Sequence, residues 1–142
     1  MSQLFTKVSV FGTSMYPSLL PGDCAIVTTR SEYPLGSILV YQYKDEGYII
    51  HRLLKIDSNC YYCKGDNAFR IERISESDVK GTIIFVIRNN IKFSPKQMDA
   101  TFCNMSLKIG YKFIRSKYNS QEVTNSSLYK QYKSRLFSLI DR

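Results

Sequence analysis

Between residues 7 and 93 the chain is cut into short stretches rich in Val, Ile, Tyr and Phe, each closed by turn residues. The stretches are 7–11, 25–29, 37–43, 48–56, 60–64, 81–87 and 91–93. Between them stand Pro21-Gly22-Asp23, Pro34-Leu35-Gly36, Asp45-Glu46-Gly47 and Gly65-Asp66-Asn67, with Asn89-Asn90 before the last. Runs this short leave no room for helices of ordinary length, whereas six or seven strands joined by tight turns build a compact sheet or small barrel. The expected fold class is therefore mainly β.

After Pro95 the period changes. Phe102, Met105, Ile109 and Phe113 step by three and four, and Tyr129, Tyr132, Leu136 and Ile140 do the same, as apolar side chains do along one face of a helix. The polar stretch 119–125 reads as a loop, and Ser126 or Ser127 as the cap of the last helix. No internal repeat or low-complexity tract is present. The chain thus divides into a β unit, 1–95, and a helical appendage, 96–142.

Charge follows the same division. The net charge is +8, yet residues 101–142 alone hold eight Lys/Arg against Glu122 and Asp141. Such a segment suits nucleic acid, an anionic membrane surface or an acidic partner protein. No nucleic-acid-binding motif is recognisable, so nucleic acid is not expected. The first helix is expected to pack on the β unit, and the second to dock on a partner protein or an anionic membrane surface. The chain contains no apolar run long enough to span a bilayer, and no export signal at its start. The expectation is a cytoplasmic protein, peripheral to the membrane at most. Four cysteines are too few for a disulfide scaffold. Cys60 and Cys63 lack two further zinc ligands, and a strand would turn them to opposite faces, so no metal is expected. No cofactor is expected either.

Three stretches hold residues suited to chemistry. In Gly12-Thr13-Ser14-Met15-Tyr16-Pro17 the serine sits between a strand and a turn restrained by Pro17 and Gly22. Ser14 there can present its hydroxyl to a substrate, and the N–H groups around Gly12, Thr13 and Ser14 can stabilise an oxyanion. The plain alternative is a tight loop with a hydrogen-bonded hydroxyl. His51, the single histidine, lies in the apolar run 48–56 on the face of Ile49 and Leu53. It is either a core residue or a base; if Ser14 is activated by an imidazole, that imidazole is His51. In Lys64-Gly65-Asp66-Asn67 the aspartate is either a turn residue or a carboxylate that orients the imidazole.

In this order, the stretches resemble the type I signal peptidases and the related LexA-like self-cleaving repressors, which share one catalytic β-domain. Gly12 to Pro17 with Gly22-Asp23 is similar to the family's nucleophile box, Gly36 to Tyr41 to the strand after it, and Ile50 to Ile56 to the base-bearing strand. Lys64 to Asn67 resembles the Gly-Asp box, and Val79-Lys80-Gly81 the closing strand. The resemblance covers about residues 7–90. Members use lysine or histidine as base, and His51-Arg52 resembles the histidine type of the endoplasmic reticulum, archaea and spore formers. The resemblance implies a carboxylate as third member: Asp66 first, with Glu72 second, six residues on, where the family pattern has Asp. Ala68 stands where a second Asn is usual.

The resemblance implies a serine endopeptidase acting on a peptide or protein substrate, cleaving a leader or signal-like segment after small residues. Only thirteen residues precede Ser14, so the expectation is a catalytic domain without an anchor, acting in trans. The alternative is a catalytically inactive module of the same fold that binds or regulates through its basic helices.

Overall fold

The alternating stretches become an antiparallel sheet in a computed structural model that describes residues 5–140. Its strands are β1 (Phe5–Ser9), β2 (Cys24–Thr28), β3 (Ile38–Gln42), β4 (Tyr48–Asp57), β5 (Cys60–Lys64), β6 (Ile71–Ser75), β7 (Val79–Arg88) and β8 (Ile91–Phe93). They lie in the order β1-β2-β7-β3-β4-β5-β6, with β8 paired to β7. Short turns make β4, β5 and β6 a meander, as short connections favour. The ten-residue β7 returns from β6 to pair with both β2 and β3.

Strand β6 has no counterpart among the apolar stretches. Its inward-facing residues are Glu72 and Ile74, both buried. The alternation of a half-buried strand appears only if a glutamate is counted as an interior residue, and hydropathy counts it as exterior.

The sheet packs on two sides. Val10, Met15, Leu19, Val27, Val40 and Val86 belong to one core, and Tyr33, Leu39, Tyr41, Leu53, Tyr61 and Ile74 to another. A third core joins the helices to the sheet. The β4–β5 register shifts between Leu53 and Lys55, so that Leu54 has no partner opposite it. Such a bulge turns a side chain out of alternation. Leu54 is buried in the helical core, and the four consecutive residues from His51 to Leu54 are all buried.

That core is covered by α1 (Ala100–Arg115), α2 (Ser120–Thr124) and α3 (Ser127–Ile140). Asp99 caps α1, its side chain accepting from the Phe102 N–H at 2.8 Å. Gly110 brings α1 against β6: a Cβ there would fall 2.6 Å from Ile71 Cδ1. The stretch 119–125 is not a loop throughout. Asn119 accepts from the Glu122 N–H, and the short α2 buries Val123. Ser126, rather than Ser127, accepts from the Tyr129 N–H and caps α3.

The two long helices do not separate from the β unit. Phe102, Ile109, Tyr132 and Leu136 share one core with Leu54. The second helix therefore turns Tyr132 and Leu136 inward, and its apolar side is filled by its own chain. The docking expected of this helix rests on its basic residues, none of which belongs to this core. Among the described residues, no helix is long and apolar enough to cross a membrane.

Candidate active site

Ser14 follows the strand-like residue Val10 through Gly12, whose backbone is left-handed (φ +71°). The connection is braced from within: the Tyr16 N–H bonds to Thr13 O, Leu19 N–H to Met15 O, and Val10 N–H to Asp23 O. The Tyr16–Pro17 peptide is cis. None of the backbone hydrogen bonds described for this connection uses the N–H of Gly12, Thr13 or Ser14 as donor.

His51 comes from the middle of β4, opposite Leu39 of β3. Its Nε2 lies 3.0 Å from Ser14 Oγ, and its Nδ1 lies 2.6 Å from Glu72 Oε1. A carboxylate only accepts, so the proton of the neutral ring sits on Nδ1, and the Nε2 lone pair faces the serine. This is the arrangement in which an imidazole can take a proton from a hydroxyl.

Glu72 is completely buried and has two further donors. Tyr41 Oη donates to Oε1 at 2.5 Å, and Arg70 Nε to Oε2 at 2.8 Å. Burial works to raise the Glu72 pKa, but His51, Tyr41 and Arg70 outweigh it and hold the carboxyl below its ordinary value. Burial, with the carboxylate and Cys63 beside it, pushes the Tyr41 hydroxyl far up, so Tyr41 stays a donor. Arg70 is held in turn by Glu46 through two bonds of 3.0 Å.

Asp66 does not occupy the place beside the imidazole. Arg52 clamps it with two bonds, Nε to Oδ1 at 2.9 Å and Nη2 to Oδ2 at 2.7 Å, and Ser18 Oγ donates at 2.5 Å. Arg52 also donates to Gly36 O and Lys96 O. Burial again acts to raise the carboxyl's pKa, and Arg52 overrides it, so Asp66 stays ionised. The preference for Asp66 over Glu72 is thus corrected in geometry. Adjacent residues of a strand face opposite ways; His51 points to Ser14 and Glu72 while Arg52 points to Asp66.

The two carboxylates have different positions because the Gly-Asp turn packs against the serine connection. A Cβ at Gly65 would fall 2.6 Å from Ser14 O and 3.0 Å from His51 Nε2, so only glycine fits there. Tyr41 and Arg70 were not among the residues expected at the site. Arg70 and Glu72, two apart on a strand, share one side. That spacing was a signal, but it is readable only once β6 is known to be a strand. Among the described residues, no group of three or more His, Cys, Asp or Glu is arranged to hold a metal ion.

Ser14 and His51 open onto a cleft of about 950 Å³. Its walls are mostly apolar and include Val8, Val10, Ile49, Ile50, Phe69 and Phe113. Val8 and Ser9 end β1, which lies at the end of the strand order, and Val10 and Phe11 continue from it.

A family model described as Peptidase S24-like matches residues 3–87, a span that includes Ser14, His51, Asp66 and Glu72. None of the curated proteins compared with the chain matches it.

Proposed function

Because the chain belongs to the Peptidase S24-like family, the group of LexA and type I signal peptidase relatives, we propose that it is a serine endopeptidase with Ser14 as nucleophile, His51 as base and Glu72 as the orienting carboxylate. The observation that carries this reading is the continuous line from Ser14 Oγ through both nitrogens of His51 to Glu72.

Ser14 Oγ attacks the peptide carbonyl as His51 Nε2 takes its proton. Glu72 holds the imidazolium that forms. The oxyanion is met by backbone N–H groups from Gly12 to Ser14, a contact worth roughly 3 kcal/mol in comparable sites. As the tetrahedral adduct collapses, the C–N bond breaks and His51 returns the proton to the leaving amine. Water then enters by the same base to free the acyl-serine.

The substrate is an extended peptide. The cleft runs beside residues 8–11, at the open edge of the sheet, where a strand can be added through backbone hydrogen bonds. Its apolar walls suit the apolar part of a leader or signal-like segment, cleaved in trans.

The test is labelling by a fluorophosphonate together with hydrolysis of leader-like peptides. Wild type should label and cleave, and Ser14→Ala should do neither. Peptide binding by wild type without labelling or cleavage would instead identify an inactive binding module.

A further inference from the structure

A hydrogen-bonded route runs from the C-terminal helices to the candidate site and ends on the backbone of Ser14. Tyr132 of α3 is 1% exposed, and its hydroxyl donates to the carbonyl oxygen of Asp66 at 2.6 Å. That carbonyl and the N–H of Asn67 belong to the same peptide unit, which is planar and rigid. The Asn67 N–H donates to Ser14 O at 2.7 Å. A rotation of this plane that lengthens one bond lengthens the other.

A parallel contact runs beside it. Lys133 Nζ donates to Asn67 Oδ1 at 3.4 Å, and Asn67 Nδ2 donates to Thr13 O at 3.1 Å. Two consecutive residues of α3 thus hold two consecutive residues of the turn, and Asn67 holds two consecutive residues of the serine connection. One turn further along α3, Phe137 meets the ring of Tyr16 edge-on at 6.2 Å. The connection has little slack, since Gly65 already fills the space behind Ser14 O.

From this geometry we infer that α3 is a brace for the nucleophile, with Tyr132 as a positioning residue that acts through the Asp66–Asn67 peptide. The inference rests on the reading of Ser14 and His51 as the reacting pair. The brace lies in residues 127–140, outside the matched span of 3–87. It gives the basic C-terminal segment a task in the chemistry. The task is geometric: the Ser14 hydroxyl reaches Nε2 only while its backbone is fixed, and small misplacements of reacting groups are expensive in rate.

The ring and the hydroxyl of Tyr132 have separable roles. The ring stacks on Phe102 with centroids 5.2 Å apart, and Lys64 Nζ lies 5.1 Å from its centroid. Tyr132→Phe keeps those contacts and removes what the hydroxyl makes, the bond to Asp66 O and the contact with the Ser106 side chain. Tyr129→Phe, on the same helix, removes a hydroxyl with no described hydrogen bond. Leu136→Val loosens the packing of α3 without touching the route.

The experiment measures kcat and KM per folded molecule for the full chain and these three variants, together with amide hydrogen exchange at Asn67. Tyr132→Phe should lower kcat by roughly 10- to 100-fold with KM little changed. Exchange at the Asn67 amide should accelerate in the same variant. Tyr129→Phe should match wild type, and Leu136→Val should lower the Tm while keeping kcat. Wild-type kcat in Tyr132→Phe, or an equal loss of kcat in Leu136→Val, overturns the brace. If wild type neither labels nor cleaves, the peptidase reading falls by itself. Exchange then decides the brace: faster exchange at Asn67 in Tyr132→Phe supports it, and unchanged exchange overturns it.

Discussion

His51 Nδ1 and Glu72 Oε1 stand 2.6 Å apart, although β5 and the Gly-Asp turn separate their strands in sequence. The contact exists because β6 lies next to β5, which pairs with β4, and because the Glu72 carboxylate is turned into the sheet interior rather than to solvent. A buried carboxylate with three donors is a fixed charge, and it dictates which imidazole nitrogen faces the serine.

Replacing Glu72 with Gln therefore strikes the chemistry. The amide can present its NH₂ to Nδ1 and favour the wrong tautomer, so kcat should fall by roughly 10³- to 10⁴-fold, with KM little altered. Steady-state kinetics on a cleaved peptide measures this. A turnover within threefold of wild type would remove Glu72 from the mechanism.

Replacing Asp66 with Asn strikes the fold first. It leaves Arg52 buried and short of its countercharge, a change that costs about 3–5 kcal/mol when a buried pair loses one partner. Denaturant titration should show that loss. An unchanged midpoint would mean that the guanidinium finds compensation elsewhere.

Lys64 makes a prediction for stability. It is fully buried, and burial lowers its pKa from 10.5 to about 8 against the pull of Asp66 and Glu72. Below pH 8 both folded and unfolded chains carry its proton, and the cost of burying the charge is fully present. Between pH 8 and 10.5 the unfolded chain holds the proton and the folded one does not, so stability rises with pH. Lys64→Met removes the titration. Wild type should gain on this variant between pH 8 and 10.5 in paired thermal melts, and a constant difference would show that Lys64 titrates normally.

Glu72 acts at the other end of the scale. Its folded pKa lies below the ordinary glutamate value, so its stabilisation is complete above that value and is lost as pH falls through the lower, folded one. Acid denaturation of wild type should therefore be steeper than that of Glu72→Gln. Coincident acid transitions would contradict the shift.

The strands that hydropathy marks were legible in the chain because a β-branched and aromatic surface with period two has few other uses. The stretch 60–64 is β5 to the residue, and 91–93 is β8. The helical period after Pro95 was equally plain, and it became α1 and α3. A serine in a restrained connection and a single histidine were also visible, since both are identified by residue type and local backbone. What stayed hidden was everything set by contacts distant in sequence. Strand β6 escaped because its interior position is filled by Glu72, and burial of a charge depends on partners 21 and 31 residues away, His51 and Tyr41. For the same reason Asp66, adjacent to glycine and apparently available, proved to be bound to Arg52. The docking of α3 was decided by the bulge at Leu54 and by Tyr132 reaching Asp66 O across the core. Local sequence determines which segments fold as strands or helices, because propensity and period act within a few residues. Which buried charge meets which partner is decided only by tertiary structure, because it depends on what pays the cost of desolvation.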